Sequence, residues 1–257
     1  DLQSASSMGN GDKRADTLII LSQLKDKQYE AALSSIARME KKFGTHPTIW
    51  NYRGAAYLGK QDRSQARASF GEALKLDPTF FPAAANLAKL DLQEKRLDLA
   101  QQRFDALLKA KPNHLDAMLA QADIALIRKD EKSYQDWLKQ AASAHPSALQ
   151  PKLLLTRYLI GKGQPDQALA FARDAVNLQP KNPIALNSLG MAQFASKDLD
   201  NARGTYQKLA DMYSDQAEPR LQLAQIQIAS KQFDRARQTL QQAIRIKPDF
   251  VPAQLVL

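Results

Sequence analysis

The 257-residue sequence contains no cysteine, so disulfide frameworks, thiolate zinc sites, iron–sulfur clusters and cysteine nucleophiles are excluded within it. Aromatic residues make up only 7%, and ten glycines and twelve prolines are too few for a turn-rich all-β protein. No apolar run approaches the roughly 20 residues that a membrane-spanning helix needs. Hydrophobic residues at 44% and charged residues at 25% are ordinary for a folded chain, and therefore exclude disorder throughout its length.

Two columns of residues recur with a spacing of 34 residues. Five prolines are separated by 34 or 68 residues: Pro78, Pro112, Pro146, Pro180 and Pro248. Six alanines are separated by multiples of 34, with Tyr134 the exception in their column: Ala32, Ala66, Ala100, Ala168, Ala202 and Ala236. Self-similarity at such a period predicts a repeat architecture. The predicted units are residues 13–46, 47–80, 81–114, 115–148, 149–182, 183–216 and 217–250.

The residues outside these seven units are predicted to differ from them in character. Residues 1–12, with three serines and a Gly-Asn-Gly sequence, are expected to form a flexible leader. Residues 251–257 are expected to start an eighth unit that is cut short, because a natural end of a repeat array usually carries a polar capping helix. We therefore expect the sequence to be a piece of a longer array.

The spacing within one unit predicts two helices packed against each other. Small residues at positions 8, 20 and 27 allow close helix approach, and larger residues at positions 4, 11 and 24 fill the remaining space. Unit two shows the pattern most fully: Trp50, Gly54, Tyr57, Ala66, Phe70, Ala73 and Pro78. A polar turn separates the two predicted helices. Three aspartates at position 16 of their units are predicted N-caps of the second helix: Asp62, Asp130 and Asp198.

This arrangement resembles the tetratricopeptide repeat (TPR), and the resemblance covers residues 13–250 without an insertion. The resemblance implies an all-α fold, a right-handed superhelical solenoid of seven antiparallel helix pairs plus a partial eighth. One helix pair cannot bury both of its faces, so each unit must pack on the next. Such a stack produces extended surface, which favours binding over catalysis.

The sequence offers no convincing catalytic, cofactor or metal site. Residues 54–60 match the glycine and lysine spacing of a phosphate-binding loop, but Gln61 replaces the required Ser or Thr and no strand precedes. His46, His114 and His145 fall in loops between units without convergent partners, so we interpret them as solvated loop residues. The carboxylates are scattered over turns and caps. We therefore predict that the chain is not an enzyme.

The resemblance instead implies a binding surface, because the first helices of such repeats line a concave groove. Positions 2, 5, 6, 9, 12 and 13 of each unit point into or toward that groove. Amide, basic and apolar side chains at these positions suit an extended peptide or a partner helix. The predicted groove residues are Asn51, Tyr52, Asn86, Lys89, Asp123, Leu153, Arg157, Asn187, Met191, Phe194, Gln222 and Gln225.

Three stretches resemble bacterial extracytoplasmic TPR arrays, and the family most resembled is the TPR lipoprotein of the PEP-CTERM/exosortase system. The stretches are residues 66–78, 81–92 and 182–190. This resemblance implies a scaffold in the bacterial periplasm or envelope, connected with protein sorting and exopolysaccharide. A lipid-attachment cysteine would lie outside these residues, so membrane association is expected only through an anchor beyond the sequence given.

Two other functions stay open at this point. The chain could recruit substrates for an enzyme whose catalytic domain lies outside these residues. It could also be an RNA-binding helical repeat, since 36 Lys and Arg against 27 Asp and Glu give a net charge of +9 and a pI of about 9.6. The excess charge is spread along the repeats without a basic aromatic platform, so we expect protein or peptide partners and no nucleic acid.

Overall fold

The computed structural model describes residues 13–257, and the predicted flexible leader, residues 1–12, lies outside them. Over these residues the chain forms fifteen α-helices and no strand. In chain order they are α1 (Lys13–Lys25), α2 (Tyr29–Phe43), α3 (Pro47–Gly59), α4 (Arg63–Leu76), α5 (Phe81–Gln93), α6 (Leu97–Ala110), α7 (Leu115–Ile127), α8 (Glu131–Ala144), α9 (Leu149–Gly161), α10 (Pro165–Leu178), α11 (Pro183–Ala195), α12 (Leu199–Met212), α13 (Glu218–Ala229), α14 (Phe233–Ile246) and α15 (Val251–Val256).

The chain divides into two compact units inside α8. The first unit ends at Trp137 and the second begins at Leu138. In the first unit, Phe70 of α4 is fully buried in a cluster with Ala83 and Leu87 of α5. In the second, Tyr206 of α12 packs with residues of α11 and α13. In both of these clusters, a helix pair therefore completes its core with the first helix of the next pair. The predicted all-α fold of helix pairs, with α15 as the partial eighth, is confirmed.

The predicted small positions are the points of closest helix approach. Gly54 of α3 is buried, and a Cβ added there would overlap the ring of Phe70 on α4. Gly190 of α11 faces Tyr206 of α12 in the same way, with a Cβ placed 2.6 Å from Cε2 of the ring. Both glycines occupy position 8 and both rings occupy position 24. The ring of the second helix thus lies directly against the backbone of the first.

All three predicted N-cap aspartates directly precede their helices, and two of them make a side-chain capping bond. The Asp62 side chain accepts a hydrogen bond from the backbone N–H of Gln65 at 3.0 Å, and Asp130 accepts from that of Ser133 at 3.0 Å. Asp198 is the N-cap residue of α12, as predicted, but its carboxylate makes no capping bond and accepts from Asn201 Nδ2 at 2.8 Å. The side-chain amide of Asn201, at position 19, donates to the Asp198 carboxylate in place of a backbone N–H of the first turn.

Two of the loop histidines have a role that the sequence did not predict. His46 accepts from the backbone N–H of Thr48 at 3.2 Å and His114 from that of Ala117 at 3.3 Å, so both cap first helices. His46 is exposed and His114 is partly buried, so both lie at the surface in loops as interpreted, with capping as an additional role. Residues 54–59 form the C-terminal part of α3, with Lys60 as its C-cap, which confirms that they are not a phosphate-binding loop.

Candidate partner-binding surface

The twelve predicted groove residues all lie on first helices of the pairs: α3, α5, α7, α9, α11 and α13. None of the twelve is fully buried. Six are exposed: Lys89, Asp123, Arg157, Met191, Phe194 and Gln225. The other six are partly buried, namely Asn51, Tyr52, Asn86, Leu153, Asn187 and Gln222. Every one of these side chains thus retains surface on which a partner could lie.

In the first compact unit the structure joins two of the predicted amides. Asn86 Nδ2 on α5 donates to Asn51 Oδ1 on α3 at 3.0 Å, so position 5 of one unit meets position 6 of the next. Tyr52 packs against the buried cluster that contains Ile36 and Ile49, and so serves the core as well as the surface. Partial burial raises the pKa of the Asp123 carboxyl on α7, although much of this side chain is exposed.

In the second compact unit, α11 presents a mixed apolar stripe to solvent. Ile184, Met191 and Phe194 are 61%, 41% and 43% exposed. Together with Asn187 they are spaced i, i+3, i+7 and i+10, which places all four on one face of the helix. A group of three exposed large apolar side chains on one helical face is unusual for a surface that contacts only water. Such a patch is typical of a surface that a partner covers.

A cavity of about 350 Å³ lies beside this stripe, between α11, α12 and α13. It is lined by two predicted groove residues, Asn187 and Gln222, and by Ile184, Tyr206 and Tyr213 among others. The cavity therefore combines apolar walls with two side-chain amides. Such a combination suits an apolar side chain whose neighbouring backbone needs hydrogen-bond partners.

The Asn187 side-chain amide has a strong hydrogen-bond partner on its oxygen and a weak one on its nitrogen. Tyr206 Oη donates to Asn187 Oδ1 at 3.0 Å, and burial raises the pKa of the Tyr206 hydroxyl, which keeps it protonated as a donor. Among residues 13–257, the one hydrogen bond that Asn187 Nδ2 donates is to Met191 Sδ at 3.6 Å, and a thioether is a weak acceptor. The Asn187 amide is thus oriented by the core and retains donor capacity for a partner carbonyl.

The structure brings some predicted residues together and leaves others apart. Asn51 pairs with Asn86, Asn187 contacts Met191, and Asn187 shares a cavity with Gln222. No contact joins the other predicted residues to these groups among the hydrogen bonds and cavities of residues 13–257. Sequence reasoning missed Ile184, Tyr206 and Tyr213 as lining residues. Position 2 of unit six could have indicated Ile184, whereas Tyr206 occupied a column interpreted wholly as core.

The described residues contain no cluster of three or more His, Asp or Glu side chains that could hold a metal ion. Along the same residues, no helix combines the length and the apolar character needed to cross a bilayer.

Family comparisons identify the repeat directly. One tetratricopeptide repeat model matches residues 57–124 and 193–256, and a second tetratricopeptide repeat model matches residues 153–217. The first model alone thus covers about half of the chain. A search of the curated proteins finds no match to the sequence.

Several solved structures are similar in fold. The C-terminal part of a TPR repeat-containing protein from Cytophaga hutchinsonii has a TM-score of 0.69 at 14% identity, covering 94% of this chain and 98% of that chain. YrrB, described as a TPR protein with an unusual peptide-binding site, has a TM-score of 0.60 at 20% identity, covering 74% and 98%. Yeast Tom70 has a TM-score of 0.60 at 15% identity, covering 99% of this chain and 55% of that chain.

Proposed function

Because the chain belongs to the tetratricopeptide repeat family, we propose that it is a non-enzymatic scaffold that binds a segment of a partner protein along its first helices. The observation that carries this proposal is the exposed stripe of Ile184, Asn187, Met191 and Phe194 beside the cavity of α11, α12 and α13. YrrB, with a related fold, is described as having a peptide-binding site, which supports a peptide as the ligand class.

The geometry favours an extended segment that carries at least one apolar side chain. An apolar side chain in the cavity would cover Ile184 and Tyr213, while the Asn187 and Gln222 amides would bond to the adjacent backbone. Backbone hydrogen bonds supply affinity and the apolar pocket supplies selectivity in this mode of recognition. Within the first compact unit, the predicted groove residues include the exposed charged side chains of Lys89 and Asp123, which are proposed to bind polar groups of a partner.

A pull-down comparing two surface variants tests this proposal. Met191→Ser combined with Phe194→Ser removes two of the three exposed apolar side chains of the stripe, and we expect partners captured by the unmodified protein to be lost. The matched control is Phe233→Ser, which removes a side chain that is 62% exposed on a second helix, α14. Identical partner profiles for the double variant and the unmodified protein would reject the groove, provided that circular dichroism shows equal helicity.

We further propose that the partner belongs to a bacterial envelope complex linked to protein sorting or exopolysaccharide production. This rests on the resemblance of residues 66–78, 81–92 and 182–190 to extracytoplasmic TPR arrays. Cell fractionation of the native protein tests it, with recovery in the periplasmic or membrane fraction expected. Recovery in the cytoplasmic fraction alone would reject this setting and leave the peptide-binding proposal unaffected.

A further inference from the structure

A second cavity, of about 550 Å³, lies on another face of α13, between α12 and α14. Arg203, Arg220 and Arg235 line it, together with the buried Gln227. On α13 the residues that face it are spaced i, i+3 and i+7, at 220, 223 and 227, whereas the groove cavity is lined by residues 218, 219 and 222. The two cavities are therefore separate sites on one helix.

The same repeat positions hold an internal ion cluster in units two and three. Asp91, at position 11 of unit three, is fully buried. Arg67, at position 21 of the preceding unit, donates to its Oδ1 at 2.7 Å, and Arg103, at position 23, donates to its Oδ2 at 2.6 Å. An arginine at position 21 thus reaches a carboxylate at position 11 of the next unit.

In units six and seven the arginine is present and the carboxylate is absent. Arg203 occupies position 21, as Arg67 does, while position 11 carries the neutral Gln227. Gln227 is 6% exposed, and its Oε1 has no hydrogen-bond partner in the described part of the chain. Thr239, at position 23, donates its hydroxyl to the backbone oxygen of Arg235 instead.

The three arginines retain unused donor capacity. Arg203 pairs with Asp200, which is 87% exposed, at 2.9 Å. Arg220 donates to the backbone oxygen of Gln216 at 3.0 Å. The Arg235 guanidinium has no ion pair among the contacts of residues 13–257. Asp211, the second acid in the lining, accepts from Gln207 Nε2 at 2.9 Å.

We propose that this cavity binds the carboxylate of an acidic side chain from a partner protein. The ligand takes the place that Asp91 occupies in the cluster of units two and three, where Arg67, Arg96 and Arg103 hold a single carboxylate. Three arginines against Asp200 and Asp211 leave one net positive charge, which matches a monoanionic carboxylate better than a dianionic phosphate. Charge-assisted hydrogen bonds from arginine are the strong interactions that such a site uses.

An NMR titration with a defined peptide tests the proposal. The probe is the acetylated and amidated tripeptide Gly-Glu-Gly, and its control is Gly-Gln-Gly, which has the same shape without the charge. We expect the Glu peptide to shift the side-chain signals of Arg203, Arg235 and Gln227, and the Gln peptide to leave them unmoved. Equal shifts with the two peptides, or no shift with either, would overturn the proposal.

Two variants locate the binding at this cavity. Gln227→Asp supplies the internal carboxylate, and Arg235→Gln removes an exposed donor without disturbing the core. Each should weaken binding of the Glu peptide at least tenfold. Arg237→Gln is the matched control, because it removes an exposed arginine of the same helix that does not line the cavity. Equal weakening by all three variants would show a general charge effect and reject the site, whereas Met191→Ser with Phe194→Ser should leave it intact.

Discussion

At the scale of single residues, two helix pairs of this fold are packed through a glycine set against an aromatic ring. Gly54 and Phe70 form one pair and Gly190 and Tyr206 another, each joining position 8 of a first helix to position 24 of the second. Glycine in a helix interior costs roughly 0.5–1 kcal/mol relative to alanine. The contact of the ring with the helix backbone compensates for that cost, since a buried ring contributes a large apolar area.

Gly54→Ala is expected to destabilise the protein by about 1–3 kcal/mol, because the added methyl group would overlap the fully buried ring of Phe70. Gly71→Ala is the matched control on α4, where a Cβ meets no atom within 4 Å. That substitution should raise stability by roughly 0.5–1 kcal/mol through helix propensity alone. Urea unfolding followed by circular dichroism measures both, and a loss for Gly71→Ala as large as that for Gly54→Ala would contradict this account.

A second residue-scale feature is the burial of the Asp91 carboxylate between arginines of two helix pairs. Removing the carboxylate takes from the partly buried Arg103 its counter-ion and leaves Arg67 with Glu94 alone. Asp91→Ala should therefore lower the free energy of unfolding by about 3–5 kcal/mol. Glu94→Ala removes a more exposed acid that also contacts Arg67, at 3.2 Å, and should cost no more than about 1 kcal/mol. Thermal or urea unfolding measures both variants. An equal loss of unfolding free energy for Asp91→Ala and Glu94→Ala would contradict the role given to burial of the Asp91 carboxylate.

At the scale of elements, every turn within a helix pair uses one residue in the left-handed backbone region, at position 15. Six of these residues are not glycine: Lys27, Gln61, Lys95, Lys129, Lys197 and Lys231. Unit five alone has a glycine there, Gly163, with φ of 68°. In each turn the residue after it donates its N–H to a carbonyl five residues earlier, as in Lys129 and Asp130, where Asp130 N–H bonds to Ala125 at 2.9 Å. This closes the helix by the Schellman pattern.

Lys129→Gly is expected to raise stability by about 0.5–1 kcal/mol, since it relieves the left-handed strain of a residue with φ of 60°. Gly163→Ala should lower stability by about 1–2 kcal/mol for the converse reason, although a Cβ there meets no neighbour. Lys139→Gly, inside α8, is the control for the lysine change and should lower stability by about 1 kcal/mol. A loss of stability for Lys129→Gly in urea unfolding would contradict the strain argument.

At the scale of the whole molecule, contacts join neighbouring helices, and no core is shared by all the repeats that the structure describes. The cluster around Phe70 draws on α4 and α5, and a distinct cluster in the second compact unit includes Leu221 and Leu240 of α13 and α14. In repeat proteins with such contacts, a destabilising substitution lowers stability mainly in the repeats around it, because each interface contributes its own free energy.

Hydrogen exchange measured on Gly54→Ala tests this locality. Exchange should accelerate in α3, α4 and α5, whose packing surrounds Phe70, and should be unchanged in α11, α12, α13 and α14. A mass-spectrometric comparison with the unmodified protein resolves these segments. Uniform acceleration along the described chain would show one cooperative core, contrary to the nearest-neighbour arrangement.

The sequence by itself determined the period of 34, the all-helical fold and the small positions against which Phe70 and Tyr206 pack. These follow from local spacing, because helix geometry places residues three and four apart on one face whatever the rest of the chain does. Tertiary structure alone left Gln227 Oε1 without a hydrogen-bond partner among residues 13–257. It also decided which side chains meet across helices, including the Asn51–Asn86 bond and the arginines around Asp91. Those contacts join residues 12 to 35 positions apart, and each depends on rotamers and helix packing that a spacing pattern does not specify.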